Sequence, residues 1–246
     1  MTQTVLVTGA AAGLGNVIAA NLLEQGFQVV LSDVNIERAQ QAADSLDNGQ
    51  GKVLAVGLDI RQPQDFERAL AVTIDHFGRL DVLVNNAALT LATPVMDIDV
   101  EEFDRVISTN LRGTFVGCQT MGRYFAKQGY GRIINLASLA GQNGGTASGA
   151  HYAASKGGIL TLTKIFAREL SKSGVTVNAI APGPLDLPSV HALVPEDKMA
   201  GLLQMIPVGK LGEAEFVAHV VALLASPQAS FVTGATWDIN GGLFMR

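Results

Sequence analysis

The chain's 246 residues suffice for one well-buried core and need no second domain. Hydrophobic residues make up 48% and charged residues 16%, so part of the surface is expected to be covered in an oligomer. A net charge of -5 with no basic block argues against a nucleic-acid partner.

The chain enters a strand at once, over Thr4–Thr8. No positively charged leader precedes it, and no apolar run of roughly eighteen residues follows, so a cytoplasmic protein with no membrane partner is expected. A glycine-punctuated segment, Gly13–Gln25, leads to a strand over Gln28–Asp33 and a polar-faced helix from about Ile36 to Leu46. Further strands are predicted at Val53–Leu58 and Leu80–Asn85, flanking a helix near Pro63–His76, and then at Ile133–Ala137, Val175–Ile180 and Thr236–Ile239. These apolar runs do not alternate cleanly, as expected where helices cover both faces of a parallel sheet. Strands separated by helices of this length imply right-handed crossovers and a three-layer α/β fold.

Two long helices are predicted, over Glu101–Gln128 and His151–Lys172. Each carries more apolar positions than one stripe against a sheet needs, which serves either a subunit contact or additional core. The first holds Cys118, which reads as a buried thiol. The four histidines are scattered without metal-ligand spacing, so no metal is expected. The segment Pro182–Gly209 interrupts the alternation, with a helical middle from about Pro195 to Met205; such an insertion is often a lid. A last helix begins at Gly212-Glu213 and ends near Ser226-Pro227. No linker is evident, so residues 1–246 are expected to form one domain with a lid around 184–209.

The turn from Thr8 to Gly15 follows the first strand and opens a helix. Gly9 can turn sharply, Gly13 admits a ligand and Gly15 permits close helix packing. Free amides at the following helix end can meet a pyrophosphate. Asp33 lies eighteen residues beyond Gly15, at the end of the second strand. In one reading its carboxylate accepts both adenosine-ribose hydroxyls and repels a 2′-phosphate, which favours NAD over NADP; in the other it caps a helix. Asp59, after the third strand, either accepts from adenine or is a solvated turn residue. Asn86, with Asn85 and Ala87 at the end of the fourth strand, can tie neighbouring strands together beside the adenosine.

Tyr152 and Lys156 are four residues apart and share a helix face, with Ser138 fourteen residues before the tyrosine. Hydride transfer to or from carbon requires a proton at oxygen. Tyr152 can be that acid/base, with the Lys156 ammonium lowering its pKa and Ser138 bonding the substrate oxygen. Asn110 stands inside a helical run, where asparagine is a poor helix former; its amide can bend the helix and hold a water towards Lys156.

With these motifs in this order, the chain resembles the short-chain dehydrogenase/reductase family along essentially its full length. The resemblance implies a Rossmann-type doubly wound parallel sheet of about seven strands flanked by helices. It implies a cofactor turn at Gly9, Ala12, Gly13, Leu14 and Gly15. Further cofactor contacts are implied at Asp33, Asp59, Ile60, Asn86, Ala87, Pro182 and Gly183, with Ile180 near the nicotinamide. Asn110, Ser138, Tyr152 and Lys156 become the catalytic tetrad, Tyr152 and Lys156 also touching cofactor. The two long helices and the segment Trp237–Arg246 become the contacts of a homotetramer. Two departures stand out. Ala88 follows the Asn-Asn-Ala element where glycine is usual, and Leu187 stands where a threonine often contacts cofactor, with Ser189 as its nearest substitute.

Substrate contacts are expected from Ser138, Tyr152, Gln142 and Leu185. Asn143 and His151 are further polar candidates, and Met96, Leu187 and Leu193 further apolar ones; His191 enters the pocket if the lid closes. The main expectation is NAD-linked interconversion of a small-molecule secondary alcohol and a ketone. The alternative is reduction of 3-oxoacyl thioesters, because Ile206–Glu213 and the Asn240-Gly241-Gly242-Leu243 ending resemble ketoacyl reductases of the family. A silent cofactor-binding regulator is a third reading.

Overall fold

The computed structural model describes residues 2–145 and 148–245, except for the side chain of Leu193. Seven strands, β1 (Thr4–Thr8), β2 (Gln28–Asp33), β3 (Val53–Gly57), β4 (Val82–Asn85), β5 (Gly131–Leu136), β6 (Val175–Pro182) and β7 (Thr236–Ile239), form one sheet in the order β3-β2-β1-β4-β5-β6-β7. Every pairing is parallel. The order reverses between β1 and β4, and the crevice at the carboxyl ends of these two strands is where such sheets bind ligands.

Helices cover both faces, which makes this a Rossmann-type three-layer sandwich. Successive residues of a strand face opposite sides. Val5 and Val7 therefore join one core with α1 (Gly13–Glu24), α2 (Ile36–Asp47) and α10 (Ala214–Ala225), while Leu6 joins the other with α3 (Pro63–Phe77), α5 (Gly113–Gln128) and α7 (Ala150–Leu170). Val82 and Val84 against Leu83 repeat the division in β4. With both sides buried, the strands read as unbroken apolar runs. Among the described residues, no helix is long and apolar enough to cross a membrane.

The expected helix over Glu101–Gln128 is three pieces: α4 (Val100–Ile107), a π-helical turn (Ser108–Arg112) and α5. Two short helices escaped the pattern, α6 (Ala140–Asn143) and α8 (Pro188–Leu193), the latter followed by α9 (Glu196–Met205). The excursion carrying α8 and α9 is closed at its neck. The Asp186 amide donates to Gly212 O at 2.8 Å and the Gly212 amide to Pro184 O at 3.0 Å.

A polar ladder crosses the buried face beside α7. Asn85 Nδ2 donates to Asn135 Oδ1 at 2.8 Å, and Asn135 Nδ2 donates to Thr163 Oγ1 at 2.9 Å. Removing its middle member takes one buried hydrogen-bond partner from Asn85 on β4 and one from Thr163 on α7. Asn135→Ala is expected to destabilise the protein by about 2–4 kcal/mol. Thermal unfolding at fixed protein concentration checks this, and an unchanged melting temperature would contradict it.

Candidate active site

β1 runs into α1 through Gly9 and Gly13, both with left-handed backbones (φ 62° and 59°). A Cβ on Gly9 would lie 2.8 Å from Ala87 Cα, and one on Gly15 would lie 2.5 Å from Asn86 Nδ2. Only glycine lets this turn close against the end of β4. Gly13 differs: no atom lies within 4 Å of its Cβ position, so open space adjoins the start of α1. Asn86 fixes the turn, its Nδ2 donating to Thr8 O at 2.9 Å and Gly9 O at 3.1 Å. Thr8 Oγ1 accepts in return from the amides of Asn86 and Ala87. Ala12, at the N-cap, offers no side chain to the first amides of α1. This cradle fits the pyrophosphate of a dinucleotide.

Asp33 closes β2 and accepts from the Asn35 amide at 3.0 Å. Asn35 is the residue that caps α2, accepting from the Arg38 amide at 2.8 Å, so the capping alternative for Asp33 falls away. Asp59 is held by Arg61 in an ion pair of 2.7 Å. The Arg61 guanidinium holds the Asp59 carboxyl below the usual carboxylate range. Its oxygens brace a turn, one of them also accepting from the Arg61 amide at 3.0 Å. The Ile60 side chain is buried in the core against Gly113, which leaves its backbone as the group able to meet a ligand.

The π turn carries Asn110, fully buried. Its Oδ1 accepts from the Leu89 amide at 2.7 Å, and its Nδ2 donates to Leu89 O at 2.9 Å and Ser155 Oγ at 3.1 Å. The side chain is thus a strut between the loop after β4 and α7, where sequence suggested a water carrier. Ser155 Oγ passes the restraint on by donating to Tyr152 O at 2.7 Å.

Ser138 follows β5 and starts the turn into α6, its Oγ accepting from the Ala140 amide at 3.1 Å. A Cβ on Gly141 would strike the backbone of Lys156 and Gly157, so α6 packs directly on α7. That contact brings Ser138 beside the phenol of Tyr152, where the Ser138 and Thr90 hydroxyls favour the phenolate. Lys156 is 3% exposed; its Nζ donates to Leu136 O at 2.5 Å and lies 5.6 Å from the centroid of the Tyr152 ring.

The electrostatics depart from expectation. Burial pushes the Tyr152 phenol up, with the two hydroxyls pulling it down less strongly. Burial also pushes the Lys156 ammonium down from 10.5 to about 8. Desolvation disfavours both charged forms and outweighs the lowering of Tyr152 expected from its neighbour. The phenol therefore keeps its proton at neutral pH.

Ser138, Tyr152 and Lys156 line one cavity of about 160 Å³ with Leu14, Asn86, Ala88, Pro182 and Gly183. Leu185, Leu187 and Val190 of the excursion form its apolar wall. A larger hollow, about 420 Å³, lies at the other end of the sheet among Gln3, Phe27 and His219, remote from these groups.

The family described as enoyl-(acyl carrier protein) reductase matches residues 9–244. The 3-oxoacyl-(acyl-carrier-protein) reductase FabG of Vibrio cholerae is 40% identical over 244 residues, covering 99% of this chain and 98% of that protein. FabG of Escherichia coli is 38% identical over 98% of this chain and 96% of its own. The 3-oxoacyl-(acyl-carrier-protein) reductase of Synechocystis is 37% identical over 99% and 97%. The chain belongs to the short-chain dehydrogenase/reductase family. It is an NAD(P)-dependent oxidoreductase with a Rossmann-type cofactor site.

Several substrate candidates of this short-chain dehydrogenase/reductase lie elsewhere. Gln142 turns away to donate to Asp238 on β7 at 2.6 Å. Met96 is 90% exposed, Asn143 and Ser189 are exposed, and the Leu193 side chain lies outside the described residues. His191 pairs with Asp186 at 2.7 Å within the excursion. The Ile180 carbonyl is taken by the Ala137 amide. Sequence reasoning missed Thr90, a lone threonine after a motif, for which no spacing offered a signal. It also misread His151, which is fully buried and bonded to Glu102 at 2.9 Å.

The burial of Lys156 makes a test of the site's energetics. Below pH 8 the folded protein carries the full cost of a buried ammonium. Between pH 8 and 10.5 the unfolded chain keeps the proton that the folded one has released, so stability rises with pH there. Lys156→Met is expected to stabilise the fold by about 1–3 kcal/mol at pH 7, a melting shift of about 2–4 °C per kcal/mol, while losing turnover. The gap should narrow at pH 9.5. Melts of both proteins at the two pH values check this; equal stabilities at pH 7 would contradict it.

Proposed function

We propose that this enzyme reduces the ketone of a 3-oxoacyl thioester to the 3-hydroxy compound. The carrying observation is the Tyr152 phenol, recessed in one cavity with Ser138 and facing an apolar wall of Leu185, Leu187 and Val190. The near-full-length similarity to 3-oxoacyl-(acyl-carrier-protein) reductases supports the same reading. A bound reduced nicotinamide supplies the hydride. Ser138 Oγ and Tyr152 Oη hydrogen-bond the ketone oxygen, and Tyr152 gives it a proton as negative charge develops there. Lys156, in its ammonium form, stabilises the phenolate left behind. Carbon gains a hydride and oxygen a proton, leaving the hydroxyacyl thioester and oxidised dinucleotide. The wall from Leu185 to Val190 receives the acyl chain.

Asp33 favours NADH over NADPH, by repulsion of a 2′-phosphate. A second observation competes: Arg38 lines a hollow with Ala11, Ala12 and Asn16 beside the cofactor turn, where it can meet a phosphate. Asp33 outweighs Arg38 in this reading because it ends β2, the strand paired with β1 beside the cofactor turn. NADH is expected to be preferred, and Asp33→Asn to narrow that preference about tenfold, equivalent to ~1.4 kcal/mol. Oxidation of NADH and NADPH with acetoacetyl-coenzyme A, followed by absorbance, measures both. Tyr152→Phe should lower kcat by about 100-fold or more. Turnover of secondary alcohols with NAD, with no thioester reduction, would return the enzyme to the alcohol-oxidising reading; cofactor binding without turnover would favour a regulator.

The exposed apolar residues support a homotetramer. Phe103, Phe115 and Ile165 are exposed on α4, α5 and α7, and Phe216 and Leu223 on α10. Such faces call for cover. Light scattering should give four times the chain's 25.7 kDa, and a monomeric mass at high concentration would defeat this.

A further inference from the structure

α7 starts at Ala150, with Gly149 as its N-cap. Glycine has no side chain with which to satisfy the first amides of the helix, which are left without helical partners. The Tyr152 amide is nevertheless satisfied: it donates to Nδ1 of His151 at 2.8 Å. The imidazole of the preceding residue folds back over the helix end and does the work of a cap.

This geometry dictates the histidine's tautomer. A ring nitrogen that accepts an N–H carries no proton of its own, so the proton of neutral His151 resides on Nε2. There it donates to Glu102 Oε1 at 2.9 Å. Glu102 lies on α4, and its carboxyl is held below the usual range by Thr93 first and His151 second. A chain of hydrogen bonds thus runs from α4 through a fully buried imidazole to the backbone of Tyr152.

Gly149 is matched to this arrangement. A Cβ there would lie 2.8 Å from His151 Nδ1 and closer still to Cε1, so any larger residue displaces the ring. The Gly149 amide donates to Leu91 O at 2.8 Å, tying the same corner to the loop after β4. Meanwhile Asn110 and Ser155 hold the Tyr152 carbonyl. Both backbone polar groups of Tyr152 are therefore anchored to this stretch, the amide through His151 to α4 and the carbonyl through Ser155 to the π turn.

We propose that His151 is a positioning residue, held by Glu102, that sets the start of α7 and thereby the placement of the Tyr152 phenol against Ser138 and the ketone. This rests on Tyr152 being the proton donor. Misplacement of a reacting group by a fraction of an ångström to an ångström lowers the rate without touching affinity. The expected signature is a fall in kcat with little change in KM.

The test measures steady-state reduction of acetoacetyl-coenzyme A, together with NADH binding by fluorescence, in the assembled enzyme. His151→Ala and Glu102→Ala are each expected to lower kcat about tenfold or more, with KM and the NADH Kd within about twofold. Glu102→Gln keeps an acceptor for Nε2–H and should retain most activity. The double variant His151→Ala/Glu102→Ala should be no worse than the worse single one. The proposal is overturned if His151→Ala keeps its kcat, if Glu102→Gln is as slow as Glu102→Ala, if the single losses multiply, or if kcat falls only with the folded fraction seen by circular dichroism. Glu102→Ala carries the test should His151→Ala fail to fold. Tyr152→Phe run alongside separates the two claims: undiminished turnover there removes the proton-donor reading itself.

Discussion

The hydrogen bonds joining Asn86 to Thr8 and Gly9 are the constraint on which the cofactor half of the site depends. They lock the carboxyl ends of β1 and β4 together at the point where the strand order reverses. The crevice opens because the two chains leave that point in different directions, one into α1 and the other towards the π turn. Gly9 and Gly15 are required by the same junction, since a methyl group on Gly9 would strike Ala87 and one on Gly15 would strike Gly9 O and Asn86. The shape of the cradle and the junction of β1 with β4 are therefore held by one set of bonds.

The chemical half is organised by a different element. α7 brings Tyr152 and Lys156 to the cavity, but its first turn is held by α4, the π turn and α6 together. The π turn has a physical purpose here. It turns the asparagine amide inward, where it pairs with a loop and a serine and exposes none of its polar atoms. Part of the cost of so much buried polarity falls on Lys156, whose ammonium donates to one backbone carbonyl among the described residues. Such a cost is in line with the usual opposition between stability and function.

Much of this was legible in the sequence, for identifiable reasons. Strands with both faces buried leave apolar runs, and all seven were located within a few residues. The glycines of the first turn, Tyr152, Lys156 and Ser138 announced themselves because their chemistry needs particular residue types at particular spacing. The break in the helix around Asn110 was suggested by its propensity, but the partners of its amide were not, because Leu89 and Ser155 are distant in sequence. The partners of Asp59 and Gln142 were hidden for a similar reason: Arg61 was not read as a partner of the one, and Asp238 is ninety-six residues from the other. His151 shows the limit most clearly. A histidine beside a tyrosine says nothing about a glutamate forty-nine residues earlier.

The closed neck of the excursion between Pro184 and Gly212 carries one more consequence. Two backbone hydrogen bonds pin its ends beside each other, so the sheet experiences the same geometry whatever lies between. Each doubling of the length of a flexible loop costs only about 0.6 kcal/mol in closure entropy. The enclosed residues can therefore be rewritten, lengthened or shortened over evolutionary time while hydride geometry stays intact. Diversity of substrate among proteins built on this plan needs no redesign of the chemistry, only new contents for a bag whose drawstring is already tied.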